Sequence, residues 1–266
     1  MTIMVFDLET IPDLEGGRQL LDLADASEDE VYSALVAKRR AQTNGSEFMP
    51  LHLQKIVAIS VVVRSQDWVK VWSLGDAQST EAELLERFYA GLLRYTPTLV
   101  SWNGGGFDLP VLHYRSLIHG VSAGKYWEAG DKHPDFKWNN YLNRYHNRHL
   151  DLMDVLAAYQ GRAVAPLHEI AILLGFPGKF GLKGDMVFET FKSGGIEEIR
   201  NYCEGDVLNT YLIYLRFQLM RSQLERADYQ TESELLKEFL KASGKPHLEQ
   251  FLAAWQGIAQ GRASDG

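Results

Sequence analysis

Two carboxylates at the end of a buried strand place the tightest constraint on this chain. Residues 3–9 read IMVFDLE, a short apolar run of the kind that forms a buried strand. Side chains alternate across a strand, so Ile3, Val5, Asp7 and Glu9 share one face. That face starts apolar and ends in two like charges at i and i+2. Burying either is costly unless something cationic compensates. A fold that accepts this strand must supply the compensation, or end the strand at Asp7 and leave both acids in solvent.

Two further acids stand where the local pattern is apolar. Residues 98–103 (TLVSWN) read as a second buried strand and run into Asn103-Gly-Gly-Gly-Phe107-Asp108, followed by a helix from about Leu109 to His119. The glycines permit tight turns and close approach by a ligand. Asp108 stands at the helix start, where an ordinary N-cap is the competing reading. A long helix is expected over about 196–223. Its stripe runs Ile199, Tyr202, Cys203, Val207, Tyr211, Tyr214 and Phe217, near a 3.6-residue period. Asp206 falls inside that stripe and Tyr202 lies one turn earlier on the same side. An ionised Asp facing a core needs a partner, and Arg200 and Lys192 are in range by sequence.

The rest of the pattern points to an α/β domain with a mixed sheet. Residues 55–64 and 67–73 read as two strands joined by a tight turn at Ser65-Gln66. Residues 18–41 carry helical spacing, and 80–94 form an amphipathic helix capped by Ser79 or Thr80 with Glu83 close by. HLDL (149–152) reads as a short strand, with helical segments near 152–160 and 166–174 and a glycine-rich loop at 175–184. Two shorter helices are expected at 232–242 and 247–256, broken at Gly244-Lys245-Pro246. No repeat or low-complexity tract interrupts this order. The length suits one substantial core, and the expected division is a main body over 1–220 with a C-terminal helical extension, 221–266, packed on it.

Asp7, Glu9 and Asp108 all fall at strand carboxyl ends, where ligand groups cluster in α/β sheets. Four acids at three such positions fit one metal site. Hard divalent cations take oxygen ligands, usually a few carboxylates with water and substrate phosphate. Two of them about 4 Å apart can activate water and stabilise a leaving oxygen in phosphodiester cleavage.

FDLET (6–10), Asn103-Gly-Gly-Gly-Phe107-Asp108 and Tyr202-Cys-Glu-Gly-Asp206 resemble exonuclease motifs I, II and III of the DEDD superfamily. The match is nearest to the proofreading exonuclease domain of family-B DNA polymerases and extends from about Ile3 to Phe217. The resemblance implies an RNase H-like mixed β-sheet flanked by helices, and a two-metal 3′→5′ exonuclease using Mg²⁺ or Mn²⁺. Asp7 would bridge both ions, Glu9 would bind one and orient the attacking water, Asp108 would act mainly through a water, and Asp206 would complete the first ion's shell. The superfamily divides by the residue preceding the last Asp. Here Asn201 stands five positions back and Tyr202 four, which resembles the tyrosine branch. Tyr202 would position the water, because a phenol near pKa 10 is a poor base at neutral pH. Asn103 and Phe107 of motif II, with Leu8 and Thr10 beside the acids, would touch the terminal nucleotide. Only about 50 residues follow Phe217, too few for polymerase palm, fingers and thumb, so the expectation is a stand-alone enzyme.

The implied substrate is a single-stranded 3′ end, DNA before RNA, although nothing in the motifs reads a 2′-hydroxyl. The products would be nucleoside 5′-monophosphates. A 3′→5′ exoribonuclease remains open, as does a non-catalytic nucleic-acid or partner-binding module. The net charge of −8 argues against a protein that grips duplex through its overall field. Residues 125–149, with five basic and three acidic residues among many aromatics, could track a single strand or pack their own rings. Lys179 and Lys183 read as solvent-exposed or phosphate-touching. Asp151 could approach the acid cluster, Asp154 reads as a helix cap, and His149 and His168 have no zinc-site spacing. Cys203 is the only cysteine, so no internal disulfide can form. No apolar run approaches a membrane span, and an N-terminus without a basic leader region is expected to place the chain in the cytoplasm. A protein partner could dock on the C-terminal helices; oligomeric state is not legible.

Overall fold

The central strand of the computed structural model is β1 (Ile3–Pro12), and each of its faces is covered by a different layer of helix. The structure describes residues 2–179 and 181–264; Phe180, in the glycine-rich loop, and the last two residues of the expected C-terminal extension lie outside it. β1 pairs antiparallel with β2 (Gln54–Ser65), which pairs antiparallel with β3 (Trp68–Ser73). On its other edge β1 pairs parallel with β4 (Thr98–Ser101), and β4 with β5 (His149–Asp151). The order β3-β2-β1-β4-β5 is a mixed five-stranded sheet flanked by helices, the RNase H-like architecture.

Alternation decides what each face of β1 meets. Met4, Phe6 and Leu8 pack on one side with α3 (Glu81–Tyr95) and α4 (Asp108–His119). Ile3 and Val5 point the other way, into a cluster dominated by α8 (Ile196–Met220). Asp7 and Glu9 therefore face α8, and Ile11 beyond them packs on Ile199 and Tyr202 of that helix. The register slips between Glu9 and Thr10, whose partners are Ala58 and Ile56. This bulge falls beside the second acid, and bulges re-aim side chains at such places.

Between β1 and β2 run α1 (Leu14–Leu20) and α2 (Glu28–Thr43). The single helical stretch expected over 18–41 is thus two helices. Asp22 takes a left-handed turn, and Ser27 with Glu30 forms a capping box that starts the second helix. The β2–β3 turn sits one residue later than expected, on Gln66 and Asp67. Thr80 and Glu83 do cap α3. Three short helices follow β5: α5 (Leu152–Leu156), α6 (Leu167–Leu174) and α7 (Val187–Lys192), the last unforeseen from sequence.

α9 (Arg226–Ala242) and α10 (Pro246–Ser264) lie against α8 and the β3 side of the sheet. Leu236, Leu240, Leu248, Phe251 and Trp255 join the same buried cluster as Val5 and Val207. Arg64 of β2 pairs with Glu232 of α9 through two bonds of 2.6 Å. Glu204 of α8, 3% exposed, accepts from the Ser73 backbone and meets Lys245 and His247 at the start of α10. Burial raises the pKa of Glu204, but His247 and Lys245 outweigh it and hold the carboxyl below its usual range. This is why α8 is buried well beyond its apolar stripe. Among the described residues no helix is long and apolar enough to cross a membrane.

Candidate active site

Three elements bring the four acids together. Asp7 and Glu9 come from β1, Asp206 from α8, and Asp108 from the first residue of α4. Glu9, Asp108 and Asp206 are 8%, 3% and 4% exposed, and Asp7 is half-buried. Phe107, which makes no side-chain capping bond, holds the N-cap position, and not Asp108. Oδ1 of Asp108 instead accepts the Leu8 backbone N–H at 3.1 Å. The pairing of β4 with β1 ends at Val5, so this N–H lies past the last strand partner and the carboxylate takes its place.

The electrostatics are those of a site short of positive charge. Burial raises the pKa of Asp7, and Asp108, Glu9 and Asp206 raise it further. Glu9 is pushed up by burial and by Asp206. Burial lifts Asp108 to about 7 in spite of the backbone N–H groups that lower it. Asp206 is also raised by burial, although Lys179 and the Tyr202 hydroxyl pull it down. Cys203 is close enough to Asp7 and Glu9 to count geometrically as a third ligand. Burial and the neighbouring acids drive its thiol pKa up, so it stays protonated and donates to the Asp7 carbonyl at 3.4 Å. A protonated thiol is a poor ligand, and the remaining donors are all carboxylate oxygens.

Lys179 is the cation that sequence reading missed. Its Nζ lies 3.1 Å from Asp206 Oδ2 and donates to the Tyr202 hydroxyl at 2.6 Å. Burial disfavours its charge, but Asp206 and Tyr202 more than compensate and keep it protonated. Arg200 and Lys192, the partners expected for Asp206, are engaged elsewhere: Arg200 on the Leu74 and Gly75 carbonyls, Lys192 near Asp29 and Glu189. Lys179 is aimed by its loop. Asn209 of α8 clasps Gly178 through bonds of 3.0 and 2.8 Å, and His168 of α6 accepts the Lys179 N–H at 3.0 Å. Gly178 has φ +71°, and a Cβ there would lie 2.6 Å from His168 Nδ1, so both backbone and space call for glycine. The buried Asn209, one turn beyond Asp206, and that glycine were the available signals.

Lys179 does not satisfy the site. Asp206 Oδ1 is buried with no hydrogen-bond partner among the described residues, and one ammonium faces four carboxylates. An orphaned carboxylate oxygen within an all-oxygen donor set fits a hard divalent cation. Tyr202 is buried, and burial together with the Asp206 and Glu9 charges raises its pKa, so the phenol holds its proton.

The expected nucleotide contacts divide. Phe107 is half-buried, packed against the cluster that holds Phe6 and Leu8, with its ring 5.9 Å from that of Phe48. Thr10 donates to Gln54 at 2.9 Å. The Leu8 side chain packs in the core with Phe6, 4% exposed, because it alternates to the face away from Asp7; only its backbone serves the site. Asn103 takes the left-handed conformation, φ +66°, and its carbonyl accepts from Gly106 and Phe107, so it shapes the loop. Close approach by Gly104 is to Ser101, whose Oγ would meet an added Cβ at 2.3 Å.

Asp151 braces this loop, accepting from the Asn103 and Gly105 N–H groups at 2.9 and 2.8 Å, and it is Asp151, not Asp154, that caps α5. Asp154 pairs with Arg144 at 2.6 Å. His149 is buried against Ser101 Oγ at 2.8 Å, and burial lowers its pKa to about 4. In the aromatic lobe Tyr126, Phe136 and Tyr141 are core residues, while Trp138 and Tyr145 are exposed. A large cleft of about 1290 Å³ lies apart from the acids, over Asp13, Arg115, Glu81 and His119. Arg115 there is ion-paired with both Asp13 and Glu81, and His119 Nε2 lies 2.7 Å from Glu81, so each of these acids has an ion-pair partner, which the acids of β1 lack among the described residues.

A family model described as a predicted 3′-5′ exonuclease related to the exonuclease domain of PolB matches residues 46–255, more than three-quarters of the chain. The matched span includes Asp108, Lys179, Tyr202 and Asp206 and begins after β1, which carries Asp7 and Glu9. No curated protein matches the chain. With more than half of its length matched by that family, the chain belongs to the predicted 3′-5′ exonucleases related to the PolB exonuclease domain.

Proposed function

We propose that the protein is a 3′→5′ exonuclease that removes nucleoside 5′-monophosphates from single-stranded nucleic acid, with DNA the favoured substrate. The observation that carries this reading is the buried Asp206 Oδ1, without a hydrogen-bond partner among the described residues, within a group of four carboxylates. Asp7, Glu9, Asp108 and Asp206 would hold two Mg²⁺ or Mn²⁺ ions. Such ions supply Lewis-acid activation of water and stabilisation of the leaving oxygen.

The chain's own residues account for the remaining steps. Asp7 and Glu9, fixed on one strand face, set the position of the scissile phosphate. Tyr202 keeps its proton at Oη and holds the attacking water by hydrogen bonding, while Glu9 orients it. Lys179 fixes the Tyr202 hydroxyl and balances Asp206, and its ammonium would meet charge developing on the phosphate. Asp108 couples the site to the backbone of β1 through Leu8 N. The C-terminal helices, held by Glu204 and Glu232, would form an extension over 221–266 that stiffens α8 from behind.

The test is a 5′-labelled oligonucleotide, DNA and RNA in parallel, incubated with Mg²⁺, Mn²⁺ or EDTA. A metal-dependent ladder shortening from the 3′ end, lost in Asp206→Ala, is expected. Binding without degradation under every metal condition would refute the reading.

A further inference from the structure

Phe48 is a large ring, 57% exposed, on the segment that joins α2 to β2. A single exposed hydrophobe on a surface needs no explanation. Three features set this one apart. Its backbone is fixed: Arg39 Nε donates to the Phe48 carbonyl at 2.7 Å, its own N–H reaches Ser46 Oγ, and the next residue, Met49, is buried with Val31 and Leu35. The segment is tied to the acid-bearing strand, because Gln54 donates to the Met49 carbonyl at 3.0 Å and accepts from Thr10, the neighbour of Glu9. Its ring meets Phe107, the neighbour of Asp108, at 5.9 Å and an interplanar angle of 49°. The two phenyl rings thus form a bent apolar ledge, carried by the residue that precedes Asp108 and by a segment tied to the residue that follows Glu9.

We infer that Phe48 is a specificity-determining residue whose ring receives the unpaired base of the 3′-terminal nucleotide. The inference rests on the exonuclease reading. A ring held from behind offers a π-face to a base, and aromatic–base stacking tolerates any sequence. A base that is still paired and stacked in duplex cannot lie on the ledge. Phe48 therefore favours frayed or single-stranded ends over closed ones. Phenyl rings carry no hydrogen-bonding group that could read a 2′-hydroxyl, so the contact serves DNA and RNA alike.

The test crosses a protein change with a substrate change. Wild type, Phe48→Ala, Phe48→Leu and Phe48→Trp are assayed on single strands ending in an ordinary nucleotide or in an abasic residue, and on a blunt duplex. Stacking of this kind predicts a loss of about tenfold in kcat/KM for Phe48→Ala on the ordinary end, carried mainly by KM. Phe48→Trp should retain activity and Phe48→Leu should resemble Phe48→Ala. On the abasic end wild type and Phe48→Ala should be equal, and the single-strand preference should shrink in Phe48→Ala. An equal loss on both ends would make Phe48 a structural residue and overturn the inference. So would unchanged kinetics in a wild type that does degrade strands. A wild type that leaves every strand intact would overturn the exonuclease reading and this inference together.

Discussion

Asp108→Asn should flatten the pH dependence of stability in the metal-free protein. Asp108 is 3% exposed, and burial lifts its pKa from 3.8 to about 7. A carboxyl whose pKa is raised on folding binds its proton more tightly in the folded state. Its contribution to stability is complete below the unfolded value and is lost as pH rises through about 7. A gap of about three pK units amounts to about 4 kcal/mol over the whole titration, and about 2–3 kcal/mol of that falls between pH 5 and pH 8. Asparagine has the same shape, can still accept the Leu8 N–H through Oδ1, and has no proton to lose. It also removes one of the charges that raise Asp7, so both effects have the same sign. Urea unfolding in EDTA at pH 5 and pH 8 measures the difference directly. Wild type should lose about 2–3 kcal/mol more than Asp108→Asn across that interval, and saturating Mn²⁺ should shrink the deficit of wild type at pH 8. Parallel pH profiles for the two proteins in EDTA would refute the argument, because they would mean that Asp108 is not held against ionisation.

Two other outcomes follow from the same geometry. Tyr202→Phe removes the hydroxyl that Lys179 holds; it should lower kcat by roughly 10²-fold while calorimetric Mn²⁺ affinity changes only a few-fold, and an equal loss of both would contradict a water-positioning role. His149 is buried and its pKa is depressed to about 4, so its contribution is present above 6.5 and is lost as pH falls toward 4, about 3 kcal/mol in all; His149→Gln should hold its unfolding free energy through that acid window, where wild type declines.

The pattern of the chain exposed the parts of this fold that depend on one element at a time. Alternation along IMVFDLE placed Asp7 and Glu9 on one face, and that face does meet α8, because the same rule sends Phe6 and Leu8 toward α3 and α4. The same alternation buries the Leu8 side chain with Phe6, against the nucleotide contact that the resemblance implied for it. The 3.6-residue stripe of α8 put Asp206 on the buried side for the same kind of reason. What periodicity does not encode is the relation between elements. The capping box at Ser27 and Glu30 was local and readable, yet the helical spacing around it concealed the break.

Lys179 is the more instructive case. Nothing in GFPGKFGLKG distinguishes a lysine in solvent from one whose ammonium reaches a buried acid, since the stem is long and the head can lie far from its Cα. Its direction is imposed by Asn209 and His168, from two helices, acting on the backbone on either side of the Gly178–Lys179 bond. A buried acid on a stripe therefore implies a cation, but it does not imply that the cation comes from its own helix. Arg200 and Lys192 were the near choices, and the backbone of the β3–α3 connection and the acids near Lys192 had already claimed them. The same reasoning explains why the charge deficit persists after Lys179 is counted. Asp206 Oδ2 takes the ammonium, and Oδ1 is left buried without a hydrogen-bond partner among the described residues. A buried carboxylate oxygen without a donor is costly in a purely structural ion pair, whereas a hard cation with oxygen ligands would engage it.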